Sequence, residues 1–170
     1  MFTTFTYSEP FSPTESGVPA VAQPQSQYCA ADKEASLMLL TEIDHVAIAV
    51  HDLEAAISYY QNAFGAEVHH REVVDSDGVE EALVKVADSY IQLTAATRAD
   101  SPIATFLDKR GEGLHHVGYR VDDCAAALAA VVAAGGRAID AEPRPGSRGT
   151  TVAFVHPKGS FGTLIELVQE

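Results

Sequence analysis

Cysteine is nearly absent from this chain. Cys29 and Cys124 stand far apart with no Cys-x-x-Cys spacing, which argues against both a disulfide framework and a structural zinc site. Basic charge is scarce as well: 11 Lys and Arg face 24 Asp and Glu, for a net charge of −13. Nucleic acid and anionic membrane surfaces both need a basic face to meet, so neither is an expected partner. No apolar run approaches the length of a membrane span. Met1–Gln27 has neither the charged nor the apolar region of a secretory signal. Rossmann and P-loop fingerprints are missing too, so no standard nucleotide site is offered. With few thiols and no leader, a reducing cytoplasm is the expected location.

What remains is an ordinary globular composition, 46% apolar and 21% charged over 170 residues, enough for a real core. Residues 1–38 are rich in Ser, Thr, Pro and Gln, with Pro10, Pro13, Pro19 and Pro24 breaking any periodicity. They are expected to form a disordered tail outside the fold.

From Leu40 onward one pattern occurs twice. Ile43–Asp52 and Leu114–Asp123 are alternating strands that run into a helix cap, and setting His45 on His116, an offset of 71, aligns Val46 with Val117, Asp52 with Asp123 and Gly65 with Gly136. The first copy continues with a helix over Leu53–Phe64 and strands Glu67–Val74, Ala82–Ala87 and Tyr90–Ala95. A short helix, Pro102–Arg110, with Ser101 as its cap, connects the copies. The second copy predicts a helix over Asp123–Ala134, stopped by Gly135-Gly136, and strands Arg137–Asp140, Thr150–Val155 and Thr163–Val168. The expected fold is α+β: a single domain over 41–169 made of two tandem βαβββ modules, 41–97 and 113–169, joined by the helix at 101–111, with curved mixed sheets around a cleft.

Strand side chains alternate faces, so parity tells which residues can meet. Val46, Ile48 and Val50 are expected to pack under a helix, leaving His45, Ala47 and Ala49 on the other face. Likewise Val117, Tyr119 and Val121 pack, leaving Leu114, His116, Gly118 and Arg120 opposite. In the last strand of each copy one polar residue sits between apolar neighbours, Gln92 in the first and Glu166 in the second. Burying either without a partner is costly. Two imidazoles, an amide oxygen and a carboxylate from corresponding places in two repeats would satisfy one another through a divalent metal, in a mixed N/O set that suits Co²⁺, Mn²⁺, Fe²⁺, Ni²⁺ or Zn²⁺. His115 has the wrong parity, and it is set aside as structural or solvated with His51, His69, His70 and His156.

The motifs Ile43-Asp44-His45-Val46-Ala47, Tyr59-Tyr60 with Phe64-Gly65, Gly113-Leu114-His115-His116, Arg120-Val121-Asp122-Asp123, His156-Pro157-Lys158 and Leu164-Ile165-Glu166-Leu167 together resemble the vicinal oxygen chelate superfamily, most closely its methylmalonyl-CoA epimerase family. The resemblance spans about residues 41–169. It implies that His45, Gln92, His116 and Glu166 hold one divalent ion per chain, with Co²⁺ favoured and Mn²⁺, Ni²⁺ or Zn²⁺ as alternatives. It implies an acyl-CoA substrate in propionyl-CoA and methylmalonyl-CoA metabolism, epimerised by removal and return of the α-proton, and a homodimer. The family's Gly-Val-x-Glu segment, here Gly78-Val79-Glu80-Glu81, assigns Glu81 rather than Glu80 as a catalytic carboxylate, with Glu166 as its partner. Arg144, Arg148 and Lys158, in the late loops, are the basic candidates for the CoA tail. Two rivals stay open: a glyoxalase-I-type lyase acting on a thiol adduct such as that of glutathione, and a metal-free small-ligand binding protein.

Overall fold

A computed structural model describes residues 39–170, and the predicted tail lies outside the described residues. The elements, in order, are β1 (Glu42–Ala49), α1 (Leu53–Phe64), β2 (Val68–Val74), β3 (Val79–Val86), β4 (Ser89–Ala96), α2 (Pro102–Arg110), β5 (Gly113–Arg120), α3 (Cys124–Ala133), β6 (Arg144–Pro145), β7 (Thr151–Val155) and β8 (Ile165–Gln169). The two βαβββ repeats expected from the sequence are present, and their strands form one eight-stranded mixed sheet, ordered β2-β3-β4-β1-β5-β8-β7-β6. The halves meet at the antiparallel β1–β5 pair, while β1–β4 and β5–β8 run parallel inside each half.

The helices begin where short polar side chains satisfy their free N–H groups. Asp52 Oδ1 accepts from the N–H of Ala55 and Asp123 Oδ1 from that of Ala126, both at 2.9 Å, and Ser101 Oγ accepts from Ile103. Gly65 closes α1 in the left-handed region, at φ 63°, which favours glycine. Beneath α1, Leu53 and Ile57 pack on Val50, Ala82, Val84 and Leu93. Beneath α3 the repeat is matched, with Cys124, Ala127 and Leu128 on Val121, Ala153, Val155 and Leu167. The connecting helix α2 lies elsewhere, its Ile103 and Leu107 packed against Ala49 and Val79.

Three local expectations need correction. Arg137–Asp140 is not a strand; within it Ala138 forms an isolated bridge to Val155. The reason is Asp140, whose Oδ2 takes the N–H of Phe154 at 2.7 Å and so replaces a ladder bond with a side-chain one. The outer strand is instead the short β6, ending at Pro145, which has no N–H to donate. Second, Leu114 does not share the face of His116 and is 60% exposed. Third, His115 does not face away from the site as its parity implied but lines the cavity beside His116. Both corrections at β5 have one cause: Ala47 pairs with His116 while Ile48 pairs with Leu114, so His115 is an extra residue bulged out of β5. A bulge breaks the alternation that parity relies on.

Candidate active site

The first two strands to meet at the centre of the sheet bring the two repeats' histidines face to face. His45 Nε2 lies 3.0 Å from His116 Nε2, and both lie close to Glu166 Oε2, at 2.9 and 3.0 Å. The three residues are buried and their ligand atoms all fall within 4.8 Å of one another. Gly118 makes this possible, since a Cβ there would stand 2.4 Å from the His45 ring. The small residue beside His45 thus accommodates the imidazole itself.

Gln92, on β4 opposite Ala47 of β1, lines the same cavity as His116 and Glu166. Its Nε2 donates to Glu81 Oε2 at 2.7 Å, while its Oε1 is buried without a hydrogen-bond partner. Glu81 Oε1 is likewise unpartnered. Orphaned buried oxygens beside two imidazoles and a carboxylate are what a hard or borderline divalent ion would satisfy, so the residues present fit a metal through His45, Gln92, His116 and Glu166.

The electrostatics divide the two carboxylates. Burial pushes Glu81 above the usual range, since the charged form loses water there, and Ser147 offsets this only in part. Burial opposes ionisation of Glu166 too, but the hydrogen bonds and charge of His116 and His45 outweigh it and hold Glu166 well below the usual range. His45 is pulled down by burial yet held up to about 9 by Asp44 and Glu166. His116 and His115 are both lowered by burial, His115 to about 4.

Glu81, Gln92, His115, His116 and Glu166 line one side of a cavity of about 200 Å³, whose other walls include Val74, Val79, Ile103, Val152, Phe154 and Leu164, with His45 buried behind His116 and Glu166. Of the three basic candidates, Arg144 lines this cavity, stacked over Phe154 and paired with Asp77 and Asp140. Arg148 does not line it. Its guanidinium packs over Tyr90 and pairs with Asp44 at 2.6 Å and Glu170 at 3.6 Å. Lys158 lies in a separate groove with Tyr119, Phe161, Ile165 and Leu167, on the helix side of the sheet. Parity assigns β8 residues 165 and 167 to that side and Glu166 to the other.

Sequence reasoning missed Asp44, His115 and Ser147. The motifs of Asp44 and His115 were in view, but both residues reach the site through bulges, and Ser147 through a loop whose 3₁₀ turn, Ser147–Gly149, has no periodic signal.

This fold and this His-Gln-His-Glu cleft define a class. Residues 44–154 match the model of the Glyoxalase/Bleomycin resistance protein/Dioxygenase superfamily. The chain is 40% identical over 133 residues, 77% of its length, to the ethylmalonyl-CoA/methylmalonyl-CoA epimerase of Cereibacter sphaeroides, of which it covers 99%. It is 34% identical over 160 residues to the mitochondrial methylmalonyl-CoA epimerase of Homo sapiens, covering 94% of this chain and 91% of that one. A solved Streptomyces coelicolor methylmalonyl-CoA epimerase in complex with 2-nitronate-propionyl-CoA superposes with a TM-score of 0.75 at 42% identity, covering 77% of this chain and 98% of that one. The chain belongs to the Glyoxalase/Bleomycin resistance protein/Dioxygenase superfamily and, within it, to the methylmalonyl-CoA epimerase family. No helix among the described residues is long and apolar enough to cross a membrane.

Proposed function

We propose that this chain epimerises methylmalonyl-CoA at C2, interconverting the 2R and 2S forms with a divalent metal bound. The observation that carries the reading is the pair of buried carboxylates in one cavity, Glu81 and Glu166, whose surroundings shift their proton affinities in opposite directions. A proton between a thioester and a carboxylate is weakly acidic, so the barrier is formation of the enolate. A metal held by His45, Gln92, His116 and Glu166 would supply Lewis-acid stabilisation of the charge that develops on the thioester oxygen.

The rest falls to the protein. Two groups with pKa values driven apart are the signature of an acid and a base. Glu166, held ionised, is the carboxylate placed to take a proton. Glu81, whose neutral form burial favours, is the one placed to give a proton back. In the reverse direction the roles exchange, as an interconversion of mirror-related centres requires. Gln92 orients Glu81 through its amide N–H. The apolar walls exclude water, which would otherwise compete to protonate the enolate without regard to face.

The cavity is small enough for the acyl head, so the CoA moiety leaves through its mouth, where we assign Arg144 the polar contact. Arg148 and Lys158 drop out of the substrate-binding assignment for the reasons of placement given above. We assign the reaction to the cytoplasm, which the near absence of cysteine supports, and the chain to a homodimer, which the family resemblance supports.

The test is solvent deuterium incorporation at C2 of methylmalonyl-CoA, followed by NMR, with metal-loaded protein and an EDTA-treated control. Rapid, metal-dependent exchange in the wild type and its loss in Glu81→Gln are expected. No exchange with any of Co²⁺, Mn²⁺, Ni²⁺ or Zn²⁺ would overturn the reading, and a glyoxalase-type substrate would be tried next.

A further inference from the structure

The residue just before each histidine of the cluster occupies the same place in its repeat, and in both repeats it has left the regular strand. In β1, Ile43 pairs with Tyr119 while His45 pairs with Gly118, so Asp44 is an extra residue, as His115 is in β5. Regular alternation would have sent Asp44 to the helix side with Val46 and Ile48. Instead it is fully buried, 0% exposed, with its Oδ1 2.8 Å from His45 Nδ1. In the other repeat His115 Nδ1 lies 2.8 Å from His116 Nδ1.

Resting on the reading of the cluster as a metal site, we propose that Asp44 and His115 are positioning residues for His45 and His116, each turned onto the metal face by a β-bulge so that it fixes the ring of the ligand beside it. A carboxylate can only accept, so Asp44 requires the proton of His45 to sit on Nδ1, which leaves the Nε2 lone pair for the metal. For His116 to offer Nε2 in turn, its own Nδ1 must donate to His115 Nδ1, which places the proton of His115 on Nε2. The two ligands are therefore held in the same orientation but by unlike partners. An anionic partner also strengthens a histidine as a donor, whereas a neutral imidazole supplies orientation alone. His45 is the stronger ligand of the two.

A buried carboxylate needs charge partners, and those of Asp44 come from the second module. Arg120 Nη2 donates to its Oδ2 at 2.7 Å and Arg148 Nη2 to its Oδ1 at 2.6 Å. This explains why Arg148 stands apart from the cavity: it secures the support of a ligand.

Chelator-stripped full chains are titrated with Co²⁺ by calorimetry and by the visible d–d absorption of the ion, with thermal melts of the stripped proteins alongside. Asp44→Asn is expected to lower Co²⁺ affinity about 10- to 100-fold and to shift the d–d bands. His115→Leu should lose less affinity but also alter the bands. Arg120→Gln removes one charge partner with Arg148 still holding Asp44, so it should melt earlier while binding Co²⁺ at near wild-type affinity. A folded Asp44→Asn that binds Co²⁺ as the wild type does overturns the proposal, as does an Arg120→Gln that loses as much affinity as Asp44→Asn. If Asp44→Asn does not fold, His115→Leu decides: altered bands support the proposal, and unaltered affinity and bands overturn it. Failure of the wild type to take up Co²⁺ would show in the parent protein, and would remove the metal reading together with this one.

Discussion

Glu80 and Glu81 are adjacent carboxylates on β3 with opposite surroundings. Glu80 meets Arg71 at 2.8 Å on the outer face, whereas Glu81 is buried and meets the Gln92 amide. Because burial raises its pKa, Glu81 ionises only above the ordinary carboxylate range. Its folded-state pKa exceeds the unfolded one, so its contribution to stability is full below the unfolded pKa and is lost as pH rises through the folded value. Wherever it is populated, the ionised form is therefore a burden on the fold. Glu81→Gln keeps an oxygen to accept from Gln92 and removes that burden, so it is expected to melt at or above the wild-type temperature while losing about 100-fold or more in kcat. Melting curves and turnover on one preparation check both halves. The alkaline limb of the wild-type kcat/KM profile, where Glu81 loses the proton it must give, should lie above the usual glutamate pKa of about 4.3. A limb at or below that value would mean that Glu81 does not limit the reaction.

The helices and every strand but the outermost of the second repeat were legible because each carries its period and its stop signals: Asp52, Ser101 and Asp123 as caps, Gly65 as a terminator. The polar residues isolated in the last strands, Gln92 and Glu166, were legible for a similar reason. The bulges were not. A bulge is a property of the register between two strands, and β1 and β5 are far apart in sequence, so nothing local marks Asp44 or His115 as the extra residue. The arginine pairs of Asp44 share that difficulty, with Arg148 lying 104 residues away. Nor does the glycine at Gly118 announce its partner: the room it leaves is taken by the His45 ring. Gly118→Ala therefore tests the element rather than a single contact. Its methyl would meet the His45 ring, and the expected cost is about 1–3 kcal/mol of stability, as for other overpacked sites, with loss of metal binding. Denaturant melts and metal analysis of the purified variant measure both. A variant that keeps full metal content would show that β5 shifts to accommodate the methyl.

At the scale of the molecule, the proposed ligands come from β1, β4, β5 and β8, so a bound metal ties both modules together. A ligand that binds the native state alone stabilises it by about 2.7 kcal/mol at a hundred times its Kd. Metal addition to stripped protein is thus expected to raise the melting temperature by several degrees, and EDTA to reverse it. The effect should weaken as pH falls from 9 to 6. His45, held up to about 9 once burial is outweighed by Asp44 and Glu166, is protonated over that range and must release its proton before Nε2 can bind. Calorimetry in buffers of different ionisation enthalpy counts the protons released, and a count of zero at pH 7 would contradict the charge assigned to His45.

Arg120 has one more implication. Its guanidinium reaches Glu42 at the start of β1 and Glu170 just past the end of β8, at 2.7 and 3.1 Å. Both ends of the folded unit therefore lie beside one side chain, at the seam between the halves. A short linker could join them, and the chain could be reopened near Gly111–Gly113, between the connecting helix and the second repeat. Such a circular permutant would present the halves in exchanged order with the same central pair of strands. The order of the repeats along the chain is then a matter of inheritance, and their antiparallel seam is what the chemistry depends on.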